Sequence, residues 1–167
     1  PVLTRAVGHV DNAYWLPAVA VEGYAARTNT PSNTAFRGFG GPQGALVTEV
    51  AIDTVARALG MDALDVRLAN LYRDRATPED PHAGLRTPYD MIVEDNVLPE
   101  LMDRIIDSSE YRSRRDDIIA FNAQSTVLKR GLALTPVKFG IAFTLTHLNQ
   151  AGALVHVYTD GSVLVNH

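Results

Sequence analysis

The sequence predicts an α+β fold, with helices packed against mixed or antiparallel strands. Three observations carry this. Apolar residues recur at three- and four-residue spacing in three stretches between residues 47 and 105. β-Branched runs gather after residue 129. The order is strand, helices, strands, and not an alternation of strand with helix, which argues against a doubly wound parallel sheet.

Each element has its own signal. Residues 14–27 are rich in Val, Ala, Tyr and Trp and read as an extended segment or strand. Pro42 sits where the first turn of a helix begins. Val47, Val50, Ala51, Val55, Ala58 and Leu59 then form one apolar stripe, expected to be that helix's buried face, and Gly60 ends it. Asp62 is placed to cap a second helix carrying Leu64, Leu68 and Leu71. Residues 73–90 hold three prolines and few large apolar side chains, which predicts a surface connector. Leu98, Leu101, Met102 and Ile105 mark a third helix, and residues 109–122 a charged fourth.

Strand character follows. Residues 131–146 read as extended, and residues 152–158 and 162–166 flank Thr159-Asp160-Gly161, where Asp-Gly is a hairpin signal. The expected division is a strand-plus-helical lobe over 1–128 and a strand and hairpin segment over 129–167.

Composition excludes several function classes. The 167 residues are 46% apolar and 20% charged, an ordinary globular balance. A net charge of −4 gives no reason to expect nucleic acid or an anionic membrane as partner. No apolar run reaches the roughly 20 residues that span a bilayer; a cytoplasmic location is expected. With no cysteine, the chain offers neither disulfides nor thiolate ligands for an iron–sulfur cluster. Its five histidines include no i, i+4 pair, so a zinc site is not expected. Because it begins at Pro1 and stops at His167 after a strong strand signal, the chain reads as a piece of something larger.

The most informative segment is residues 28–44, T-N-T-P-S-N-T-A-F-R-G-F-G-G-P-Q-G. Four glycines there admit close approach to backbone N–H groups, and the helix that follows adds unpaired donors. The segment is not a Walker loop, since no lysine follows its last glycine. Nor is it the dinucleotide fingerprint, because Gln43 stands where the third glycine belongs. A cradle for an anionic or oxygen-rich group and a tight turn that merely starts a helix fit the pattern equally. Arg37, hemmed in by Phe36, Gly38 and Phe39, favours the cradle, because a buried arginine demands anionic or carbonyl partners. Phe36 and Phe39 read first as core side chains; alternation turns one inward and the other elsewhere, which leaves one able to face a planar ligand.

Other positions carry less local signal. Arg5 reads as an exposed or interface arginine, and Phe143 as a core side chain with Thr144 bonded to backbone. Glu22 and Glu49 fall in apolar company, which predicts raised carboxyl pKa values, and neither has a local base or nucleophile beside it. Arg112, Arg114 and Arg115, followed by Asp116 and Asp117, read as a solvated helix face.

Residues 28–44 resemble the glycine-rich segment of the molybdenum-cofactor subunit of the xanthine dehydrogenase and xanthine oxidase family. The resemblance runs on through Arg67-Leu68-Ala69-Asn70-Leu71-Tyr72, Lys129-Arg130-Gly131-Leu132, Lys138-Phe139-Gly140-Ile141 and Leu148-Asn149-Gln150-Ala151-Gly152-Ala153. It closes with His156-Val157-Tyr158-Thr159-Asp160-Gly161-Ser162-Val163. Only the stretch from 73 to 94 stands apart.

The resemblance implies a site. Arg37 would lie at a molybdopterin cofactor without ligating the metal, with Phe36, Gly38 and Gly40 beside it. Phe39 and Phe143 would sandwich a flat purine, and Thr144 would hydrogen-bond it. Arg5 would contact a purine carbonyl and stabilise negative charge developing in the transition state, the kind of preorganised electrostatics that is often the largest catalytic term. The implied reaction is oxidation of hypoxanthine and xanthine to urate in purine catabolism, with electrons leaving through 2Fe-2S clusters to FAD and NAD held elsewhere. Implied partners are the rest of the large subunit and the iron–sulfur and FAD domains. The resemblance also places the general-base glutamate beyond His167 and a second substrate-binding glutamate before Pro1, so these residues alone are expected to be inactive. Alternatives are an aldehyde oxidase or other heterocycle hydroxylase of the same family, and a non-catalytic anion-binding module.

Overall fold

A computed structural model describes residues 2–31, 33, 36–140, 147 and 150–167. Among these lie five helices, α1 (Val2–Val7), α2 (Gly41–Leu59), α3 (Ala63–Ala69), α4 (Leu98–Ser108) and α5 (Tyr111–Gln124), and two strands, β1 (Leu154–Val157) and β2 (Val163–Asn166). The α+β class is as predicted.

Helix ends follow the capping signals. α2 opens after Gly40 in a left-handed conformation with Pro42 in its first turn. It closes at Gly60, φ 65°, whose N–H returns to the carbonyls of Ala56 and Arg57. The Asp62 carboxylate accepts from the Leu64 N–H at 2.9 Å and so caps α3. The same carboxylate accepts from the Tyr111 hydroxyl at 3.1 Å and from Arg115 Nε at 2.6 Å, which fixes α5 against the start of α3. α1 has no counterpart in the sequence pattern.

Tyr14, Leu64, Leu71, Met102 and Tyr111 form the core, with Leu16, Ile52, Leu68, Leu98, Ile106, Leu132 and Leu134 packed around them. The buried face of α2 is not the predicted one. Val47, Val50, Val55 and Leu59 are about half exposed or more. The helix instead turns Glu49, Ile52 and Ala56 inward, because Glu49 has buried polar partners that its sequence neighbours do not supply.

Of the two stretches read as extended, neither forms a ladder among the described residues, and residues 141–146 lie outside them. In residues 14–27 only Tyr14 pairs, in an isolated antiparallel bridge with Leu71; Pro17 removes a donor, and Val19 and Tyr24 face solvent. Residues 131–140 join no ladder and are held by side chains instead. Residues 73–90 form the expected connector, tied by bonds from the Arg73 and Arg75 N–H groups to the Gly84 and Ala83 carbonyls. The hairpin is as predicted: β1 and β2 pair antiparallel with Val155 opposite Val165 and Val157 opposite Val163, and the Gly161 N–H closes the turn onto the Tyr158 carbonyl. Every residue of both strands is exposed, so the hairpin adds nothing to the helical core.

Candidate functional site

Gly38, Phe39 and Gly40 have φ of 88°, 48° and 111°, three consecutive left-handed residues. Two of them are glycine, which adopts that region without steric cost; Phe39 does so under strain. The turn is closed by the Phe39 N–H on the Phe36 carbonyl and the Gly41 N–H on the Gly38 carbonyl, at 2.8 and 3.0 Å.

The lack of side chains here serves close packing within the chain. A Cβ on Gly40 would strike the Val2 carbonyl and the Ala6 nitrogen, and one on Gly44 the Ala6 carbonyl. One on Gly41 would strike the Phe139 ring. The glycines thus let α1 and Phe139 lie directly on the start of α2, a packing role beyond the helix-starting turn that the sequence left level with a ligand cradle.

α1 carries Arg5 into this junction. Arg5 is buried, contrary to the expectation of an exposed or interface residue. Its Nη2 donates to the Gly140 carbonyl, and its guanidinium lies 5.0 Å from the Phe139 ring centre. The Gly140 carbonyl is an acceptor of the chemistry that a purine carbonyl presents. His9 supports the arrangement: Nδ1 lies 2.9 Å from the Arg5 carbonyl, and Nε2 faces the Gly140 N–H at 3.4 Å. Its ring is 5.0 Å from that of Phe139. An Nε2 that accepts requires the proton on Nδ1, which then donates to Arg5.

The structure therefore brings Arg5, Gly38 and Gly41 around Phe139, with Gly40 against α1 and half-buried Phe39 in the same turn. It does not bury Arg37 or Phe36. Both are exposed, Phe36 by 74%, so the argument that Arg37 must find interior partners fails. Phe143 and Thr144 lie outside the described residues. For a molybdopterin group, an acceptor-rich anion, the donor set fits: an exposed guanidinium at Arg37 stands beside the left-handed turn that opens a 19-residue helix.

Beneath the junction lies a buried polar network. Arg67, 2% exposed, donates to Glu49 Oε2 and Asp53 Oδ1, each at 2.7 Å. Glu49 Oε1 accepts from Asn12 Nδ2 at 2.8 Å and from the Tyr14 hydroxyl at 2.6 Å. Glu49 is therefore fully partnered, which corrects the expectation of a carboxyl in apolar surroundings; Glu22 is exposed and accepts from Tyr24. Burial, then the Glu49 carboxylate, pushes the Tyr14 phenol far above its ordinary value. Burial likewise pushes Tyr72 up to about 12. Lys138 is half-buried, which alone would lower it, but its hydrogen bond to Asp11 prevails and holds its ammonium above the usual lysine range.

Sequence reasoning missed Asn12, Phe139 and Gly140 as parts of the site. Lys138-Phe139-Gly140 was visible as a block of the resemblance, but nothing in it marked a contact with Arg5. The Glu49–Arg67 pair, 18 residues apart, has no periodic signal at all.

Two family models match, each described as a molybdopterin cofactor-binding domain, over residues 1–71 and 104–167. Among curated relatives, the xanthine dehydrogenase/oxidase of Mus musculus is 47% identical over 99% of the chain. A nicotinate hydroxylase of Emericella nidulans is 45% identical and the xanthine dehydrogenase of Drosophila subobscura 47%, over the same share. The chain spans 12% of the length of each. Among solved structures, the aldehyde oxidoreductase from Desulfovibrio desulfuricans matches with a TM-score of 0.55 and 26% identity, over 72% of this chain and 12% of that one.

Proposed function

Since the chain belongs to the molybdopterin cofactor-binding family, we propose that it forms one wall of the substrate pocket and part of the cofactor cradle of a molybdenum hydroxylase that oxidises hypoxanthine and xanthine to urate. The observation that carries the reading is the burial of Arg5 at the α1–Phe139 junction, in a chain 47% identical along nearly its whole length to a xanthine dehydrogenase/oxidase.

On this reading the cofactor would be held by Arg37 and the turn from Phe36 through Gly38 to Gly40. When bound, it supplies the two-electron redox chemistry of the hydroxylation. Arg5 binds a carbonyl of the purine and stabilises negative charge that gathers on the ring as its carbon is attacked. Phe39 and Phe143 fix the ring plane, and Thr144 donates a hydrogen bond. The 2Fe-2S clusters, FAD and NAD belong to other parts of a cytoplasmic complex. Within the chain, residues 1–128 serve as the molybdopterin-binding region and 129–167 lead into the next lobe. No helix among the described residues is long and apolar enough to cross a membrane.

A second reading has its own observation. The nicotinate hydroxylase is nearly as similar as the xanthine enzymes, so another aromatic heterocycle is the competing substrate. Turnover of xanthine, nicotinate and a small aldehyde by the full-length protein, alongside molybdenum and pterin analysis, separates the two. Urate formation with xanthine strongly preferred supports the purine reading. Preference for nicotinate assigns the second, and absence of molybdenum from active protein rejects both.

A further inference from the structure

We propose that Asn12 is a positioning residue, setting the backbone from Pro136 to Gly140 at the placement in which the Gly140 carbonyl holds Arg5. The proposal rests on the reading that Arg5 serves a purine substrate. Asn12 is 1% exposed and sits at φ 46°, a left-handed conformation that asparagine tolerates better than most residues. Its side chain is used from both ends. Nδ2 donates to Glu49 Oε1 at 2.8 Å and to the Pro136 carbonyl at 3.0 Å, and Oδ1 accepts from the Lys138 N–H at 3.3 Å.

These bonds matter because residues 131–140 pair with no strand among the described residues, so no ladder fixes how far the segment slides. The anchor itself is rigid: Glu49 is held by buried Arg67 and by Tyr14. The path runs from Arg67 through Glu49 and Asn12 to the Pro136–Lys138 backbone. Two residues on, Gly140 meets both Arg5 and His9. The Lys138–Asp11 ion pair secures the lysine side chain but leaves the Pro136 carbonyl and the Lys138 N–H to Asn12.

The test uses the full-length holoenzyme. Asn12→Gly keeps the left-handed backbone without cost and deletes only the side chain. Tyr111→Phe, which breaks a bond to Asp62 at the far side of the core, is the structural control. For Asn12→Gly the expected results are a purine kcat lowered about 10-fold, small-aldehyde turnover within about 2-fold of wild type, and Gly140 amide exchange faster by about 10-fold. The control should leave the purine-to-aldehyde ratio unchanged. In a purine-oxidising parent, either signature without the other overturns the proposal, as does a control that shifts the ratio equally. If the parent oxidises no purine, the functional reading fails instead, and Gly140 exchange alone decides: acceleration supports the clamp and unchanged protection overturns it.

Discussion

Arg5 sits with its guanidinium 5.0 Å from the centre of the Phe139 ring while donating to the carbonyl of the next residue, Gly140. Two adjacent residues therefore supply a side-chain π face and a backbone acceptor to a cation carried by a helix 135 residues away in sequence. Phe139→Leu keeps apolar contact with Gly41 and removes the ring. A cation–π contact at a partly open site is worth about 0.5–1 kcal/mol, so kcat/KM for xanthine should fall roughly 2- to 5-fold. Steady-state kinetics of the full-length variant checks this; a loss of a hundredfold or more would mean that Phe139 touches substrate directly.

Gly44→Ala tests whether the glycines serve packing. Alanine is the better helix former by about 1 kcal/mol, yet its Cβ meets the Ala6 carbonyl, a backbone atom that cannot swing aside. The clash should prevail, displacing α1 at a net cost of about 1–3 kcal/mol. Gly131→Ala, whose Cβ meets nothing within 4 Å, should be silent within about 0.5 kcal/mol. Amide exchange of α1 in the two full-length variants distinguishes these outcomes.

The Arg67–Glu49 pair is expected to cost heavily when broken on one side only. Arg67→Met leaves a largely buried carboxylate without its cation, a loss of about 3–5 kcal/mol. Amides of α2 and α3 should exchange roughly 100-fold faster or more. Adding Glu49→Gln removes the stranded charge and should restore part of the protection. No recovery in the double variant would show that the charges were not the issue.

The buried phenols give an alkaline signature. Tyr72 keeps its proton up to about 12, and burial raises Tyr14 and Tyr111 as well. A proton held more tightly when folded contributes stability that is complete below the unfolded phenol value of about 10. For Tyr72 that contribution is lost as pH rises from about 10 to 12. Lys138, raised above its ordinary 10.5, acts in the same direction. Ultraviolet titration of full-length protein against Tyr72→Phe should lose one late-ionising phenol. Loss of a phenol that titrates near 10 would contradict the burial argument.

Legibility in the sequence tracked locality. The Asp62 cap, the Gly60 stop and the Asp160-Gly161 turn are decided within a few residues, and each stands where its signal put it. What depends on distant partners was not readable. The apolar stripe of α2 faces outward because Glu49 must meet Arg67, Tyr14 and Asn12. α1 is six residues long and is seated by glycines more than thirty positions later. Arg37 looked enclosed only because its sequence neighbours are bulky. Arg5, which carried no local mark, is the buried one.

The most direct measurement is steady-state turnover of xanthine and of a small aldehyde by full-length Arg5→Ala, with molybdenum content verified. An aldehyde offers no second carbonyl for a cation to hold. Loss of a preorganised charge-stabilising donor costs about 100- to 1000-fold, so urate formation should fall by that factor while aldehyde oxidation persists. Unchanged xanthine turnover in a molybdenum-replete variant would contradict the assignment of Arg5 and the purine pocket built around it.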